Sequence, residues 1–171
     1  KLFLETNYEK YMKKLLIDAI STSSGGAISH LKIIVNQFYN QNYFDSVDVF
    51  LPENTKNKMP EIKNVNYISP KFFLKNLLLR IFWQVVILNI RIIRKKYNCI
   101  FVTGSSHFIL NGPVVTISQN LLPFSFNEVK KYFFSIFYIK LKILYLTQKF
   151  SFKSSKGVIF LHDYSKKFIL K

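Results

Sequence analysis

Small and polar residues that could do chemistry gather in four stretches, each following a short apolar run: residues 21–26, 103–113, 118–127 and 162–163. In the first, Gly25-Gly26 lacks Cβ atoms, so backbone there can approach a ligand closely. A helix starting at the pair would offer an anion its unpaired N–H groups and partial positive charge. The same pair also suits a plain strand-to-helix turn, and the spacing is not the GxGxxG dinucleotide fingerprint. In the second stretch, His107 sits beside Ser105 and Ser106, where an imidazole could act as base or hydrogen-bond donor. The alternative is an ordinary loop histidine, and His162-Asp163 reads the same way. Ser105, His107 and Asp163 could be drawn together as a Ser-His-Asp set, but no nucleophile elbow accompanies them. His30 falls within a helical pattern and is given a structural role. The three histidines and the single Cys99 lack metal-ligand spacing, so no metal is expected, and one cysteine allows no intrachain disulfide.

The elements that must position these stretches follow from periodicity. Largely apolar runs of strand length occur at residues 14–19, 47–51, 65–68, 99–102, 114–118 and 157–161. Between them lie helical patterns from Ala27, from about Lys71 to Lys96, from about Asn127 to Phe150, and from Tyr164 onward. Residues 53–63 read as a loop. In the helix over 71–96, Asn76, Arg80, Gln84, Arg91 and Lys95 share one narrow stripe, and most of the remainder is apolar. Apolar strands alternating with helices predict a doubly wound, mainly parallel α/β sheet of about six strands. Ligands of such sheets bind beyond the carboxyl ends of the strands, where all four stretches lie.

Length and composition set the frame. The 171 residues suit one domain over residues 13–171, after a lead-in segment over 1–12. A first residue that is not Met is read as a trimmed or partial chain. Lys and Arg total 25 against 9 acidic residues, a net charge of +16 that favours anionic partners. A Lys-rich genome would give part of that excess by bias alone. The longest uncharged run between Phe72 and Ile93 is Ile81 to Ile90, half of what a spanning helix needs. The expectation is a cytoplasmic protein that lies on a membrane without crossing it.

Two segments carry a resemblance. They are Val114-Val115-Thr116-Ile117-Ser118-Gln119-Asn120-Leu121-Leu122-Pro123-Phe124 and Gly157-Val158-Ile159-Phe160-Leu161-His162-Asp163-Tyr164-Ser165-Lys166-Lys167. With Asp18-Ala19 and Gly25-Gly26-Ala27 followed by His30, they resemble the N-terminal domain of glycosyltransferase family 4, the "group 1" enzymes. The resemblance covers about residues 13–171. It departs from the family at Gln119, where many members have His, and at His162, where Ser or Thr is usual.

That resemblance implies a GT-B enzyme: two Rossmann-like domains facing across a cleft, with no metal or cofactor. Its reaction would move a sugar from a nucleotide-sugar to a glycan or polyprenyl-phosphate-linked acceptor in bacterial cell-surface polysaccharide synthesis. The donor would be held mainly by a C-terminal domain outside this sequence, and the acceptor by this one. His107 and Gln119 are assigned to catalysis, and Gly25, Gly26, Ser105, Asn120 and Asp163 to substrate. Lys interleaved with Phe and Tyr over Lys130 to Lys153 implies an anionic inner-leaflet surface as a further partner. The alternative function is a non-catalytic basic module binding anionic lipid or nucleic acid. No RRM-like or helix-turn-helix signature supports nucleic acid.

Overall fold

A computed structural model describes residues 12–23, 25–41, 43–72 and 76–169. Apart from Met12, the lead-in segment lies outside the described residues.

Six strands form one all-parallel sheet: β1 (Lys14–Asp18), β2 (Ser46–Phe50), β3 (Val65–Ile68), β4 (Cys99–Val102), β5 (Val114–Ser118) and β6 (Gly157–Phe160). Their order is β3-β2-β1-β4-β5-β6. The expected doubly wound, Rossmann-like α/β fold is therefore what this chain adopts.

β1 is the hinge of the topology, and its sequence shows why. Leu15, Leu16 and Ile17 are fully buried, because a central parallel strand is covered on both faces. Leu15 and Ile17 pack with Leu31 and Val35 of α1 (Gly26–Asn40). Leu16, on the other face, packs with Trp83, Leu88 and Ile92. Each such side chain withdrawn from water stabilises the fold by ~1.5–3 kcal/mol.

The helices differ from the sequence reading in three instructive ways. Residues 53–63, expected as loop, contain one helical turn, α2 (Glu53–Lys56), whose Thr55 is fully buried. The helix expected from Lys71 begins only at Leu77, where Asn76 Oδ1 accepts the Leu79 N–H at 2.8 Å as an N-cap. It then runs as α3 (Leu77–Phe82), a π-helical segment (Trp83–Leu88) and α4 (Asn89–Lys95). Part of its polar stripe turns to the sheet: Gln84 Nε2 donates to Asp18 at 3.3 Å, and Arg91 to Asp48 at 3.1 Å. Lastly, the helix expected over 127–150 is two helices, α5 (Phe126–Lys130) and α6 (Ile136–Ser154). Ser135 restarts the helix by accepting the Tyr138 N–H. The last described element is α7 (Asp163–Ile169).

Right-handed crossovers put α1 and α2 on one face of the sheet, and both α3–α4 and α6 on the other. The segment 107–110 joins the latter two. Asn89 of α4 donates to Phe108 O and accepts from Leu110 N, while Ser151 of α6 bonds both the N–H and C=O of His107. Among the described residues no helix is long and apolar enough to cross a membrane.

Candidate functional site

The strand order locates a crevice. From β1 the chain turns toward β2 and β3, and from β4 toward β5 and β6. Loops leaving the carboxyl ends of β1 and β4 therefore diverge, opening the gap where doubly wound sheets bind ligands. A cavity of ≈ 80 Å³ lies there, walled by Ser21, Thr22, Ala27, His30, Leu31, Thr103 and Gln119.

Hydrogen bonds hold this wall. Thr103 Oγ1 donates to Asp18 O at 3.2 Å and lies 3.4 Å from Thr22 Oγ1, tying the β1 and β4 loops together. Thr55 Oγ1 donates to Thr22 O at 2.7 Å, which explains why a buried threonine sits in α2. Ser105 Oγ accepts the Gln119 N–H at 3.1 Å and so positions the glutamine that reaches the cavity from β5. Gly104 leaves room for the loop of Ser21, since a Cβ there would lie 3.3 Å from Ser21 Oγ.

α1 enters the crevice by its N-terminus. Gly25 adopts φ 57°, ψ −139°, a conformation that side chains resist. Among the described residues no side chain caps the helix and no acid stands in its first turn, so none of them offsets its positive end. A Cβ on Gly25 or Gly26 would meet nothing within 4 Å, so the space beside both is open.

The residues singled out from the sequence thus separate. Gln119 lines the crevice with Ser105 behind it, and Gly25 and Gly26 directly precede Ala27, the first α1 residue of its wall. Asn120 is exposed, and its Oδ1 accepts the Leu122 N–H at 3.0 Å within its own loop. Asp163 is exposed at the start of α7, beyond edge strand β6, with β4 and β5 between it and β1. His107 is 1% exposed. Its Nε2 pairs with Ser155 Oγ at 2.9 Å and its Nδ1 accepts the Ile109 N–H at 3.2 Å. Burial pulls its pKa down to about 4, so the ring is neutral at pH 7 and fastens α6 to the β4 loop.

His30 corrects its sequence assignment: it is exposed in the cavity wall, not a structural residue of the helix interior. The signal was present, since Ala27, His30 and Leu31 fall at i, i+3 and i+4 on one helix face. Asp18 enters the sequence reading only through the Asp18-Ala19 step of the resemblance. It is 4% exposed at the carboxyl end of β1, and burial pushes its pKa up to about 6 against the Ile20 N–H, Gln84 and nearby Arg80. A lone acid closing an apolar strand was the available signal. Among the described residues no group of three or more His, Cys, Asp or Glu is placed to hold a metal.

Hydroxyls, an amide, one imidazole and an open helix N-terminus can together hydrogen-bond a polyhydroxylated or phosphorylated ligand. Comparison with protein-family models and with curated proteins finds no match to this chain.

Proposed function

We propose that this chain is the acceptor-side domain of a family-4-type GT-B glycosyltransferase, moving a sugar from a nucleotide-sugar to a glycan or lipid-linked acceptor. The observation that carries the reading is the crevice between β1 and β4. There the first turns of α1, through Ala27, His30 and Leu31, wall a cavity together with Ser21, Thr22, Thr103 and Gln119, and among the described residues no side chain caps the start of the helix. In this reading an opposing domain holds the nucleotide and supplies the other wall. The leaving diphosphate gains negative charge as the glycosidic bond breaks, and the first turn of α1 stabilises it. Gln119 aligns an acceptor hydroxyl but cannot take its proton. His30, the titratable side chain among the described residues of that wall, would take it instead. His107, with both ring nitrogens engaged, supports the loop instead.

The test is transfer from radiolabelled UDP-, GDP- and dTDP-sugars to extracted lipid by the domain joined to its opposing domain. Gly26→Val points its side chain into open space, so stability holds while kcat/KM falls about ten-fold or more through lost close approach. Turnover by the 171-residue chain alone, or wild-type kinetics in Gly26→Val, would remove this reading.

A further inference from the structure

α6 is 19 residues long, about 28 Å at 1.5 Å per residue, whereas β5 and β6 span about 17 Å or less. The helix therefore overhangs the sheet. Its buried residues are Leu141, Gln148 and Ser151, all on one side and none in its first turn. The opposite side carries Ile136, Ile139, Ile143, Leu146 and Phe150, each at least 44% exposed, at alternating spacings of three and four. That spacing makes a continuous apolar stripe along the helix.

The overhang ends in an aromatic knot. In the turn between α5 and α6, Phe133 stacks edge-on with Phe134 at 5.1 Å and leans on Tyr138 at 5.2 Å, and Tyr132 meets Phe137 at 4.8 Å. These rings pack on one another and not on the sheet, and Phe134 is 100% exposed. Burial in the core, the competing use for them, does not occur.

The charges around the stripe select its occupant. By helical geometry Lys142, Lys149 and Lys153 line one side of it and Lys140 the other, all exposed. No acidic residue occurs between Glu128 and Asp163. A second copy laid stripe to stripe would set lysine against lysine, which opposes self-pairing. Apolar side chains ringed by cations at one overhanging end match a bilayer with an anionic headgroup layer. α3–α4, on the same face of the sheet, turns Leu78, Ile90 and Ile93 outward as well.

We infer that the α5–α6 turn and the outer stripe of α6 form a membrane-docking surface, with Phe134 as the inserted tip and Lys140, Lys142, Lys149 and Lys153 at anionic headgroups. The inference does not depend on the transferase reading. Because α6 starts after the carboxyl end of β5, insertion there would bring the β1–β4 crevice close to the bilayer.

Vesicle co-sedimentation tests it, using phosphatidylcholine vesicles with and without phosphatidylglycerol as the anionic lipid. Wild-type chain should bind the anionic vesicles at low salt and release at high salt. Each lysine in contact is worth about five-fold in partitioning, so replacing all four by Gln lowers it on the order of several hundred-fold. Phe134→Asp, at a fully exposed position that folding does not need, lowers it about ten-fold or more. Phe134→Trp should shift its emission to the blue and be quenched by brominated lipid, while Trp83, 3% exposed, is not. No binding at low salt, binding indifferent to these variants, or an unquenched Trp at 134 would each overturn the inference. So would a dimer abolished by Ile143→Asp without lipid binding, which would give the stripe to a second copy.

Discussion

Asp18 and His107 titrate in opposite senses, and their opposition shapes the acid stability of the domain. Asp18 keeps its proton to about pH 6 when folded, against an ordinary value of 3.8. The folded state binds that proton more tightly, so its contribution is present below pH 4 and is lost as pH rises toward 6. His107 is the reverse: its pKa is about 4 when folded against an ordinary 6.5. The unfolded state takes that proton first, so stability is lost as pH falls from 6.5 toward 4. The two slopes largely cancel in the wild type. Asp18→Asn leaves only the second, and its unfolding free energy should climb by on the order of 2–3 kcal/mol between pH 4 and 6.5. Urea titrations at pH 4.5, 5.5 and 6.5 check this, and a flat profile for the variant would refute the burial of His107 as its cause.

At the scale of elements, Asn89 is the joint between a π-helical segment and a loop. Its Nδ2 reaches the carbonyls of Gln84 and Val85 at 2.9 Å, where the π turn leaves acceptors without the usual i→i+4 donors, and Phe108 O at 3.0 Å. Its Oδ1 takes the Leu110 N–H at 2.9 Å. Asn89→Ala strands several buried groups at once and should cost about 2–4 kcal/mol, with faster amide exchange across residues 107–110. Exchange rates there unchanged from wild type would mean that Ser151 alone holds the segment. The same helix shows why a polar stripe is ambiguous in sequence. Arg91 and Lys95 face Asp48, whose pKa burial would raise but which hydrogen bonds from Tyr97, Arg91 and Asn66 hold below the usual carboxylate range. A stripe that looks built for solvent instead meets acids on the sheet.

For the whole molecule, two properties follow from the sheet order and the charge. β1 and β4 are paired on both sides and lie at the centre, while β3 and β6 are edges and β6 has no fully buried residue. Hydrogen exchange should therefore find the slowest amides in β1 and β4, near the global unfolding limit, and earlier opening in β3 and β6. Uniform protection across all six strands would contradict this ranking. Few of the 25 basic residues behind the net charge of +16 meet an acid. Among the described residues the ion pairs are Lys71–Glu53, Arg91–Asp48, Lys95–Asp48 and Lys131–Glu128. Self-repulsion then destabilises the compact state, and Tm should rise by a few degrees as salt goes from about 20 to 300 mM. A Tm that falls or stays level would place the cations too far apart to matter.

The sequence by itself determined the strands, their parallel sense and the α/β class, because a strand buried on both faces must read as an unbroken apolar run. Leu15-Leu16-Ile17 and Cys99-Ile100-Phe101-Val102 leave little else for the backbone to do. It also marked the loops at the carboxyl ends, one of which brings Gln119 into the wall of the crevice. What it left open depended on partners distant in the chain. Whether His107 faces water or core is decided by Ser151 and Ser155, 44 and 48 residues away. That Thr22 and Thr103 share a wall follows from β1 lying beside β4, a pairing no local pattern records. The break at Ser135, the inward polar stripe of α3–α4 and the outward apolar stripe of α6 were likewise settled by tertiary structure. Periodicity shows that a helix has two faces, and only the neighbour packed against it decides which of them is buried.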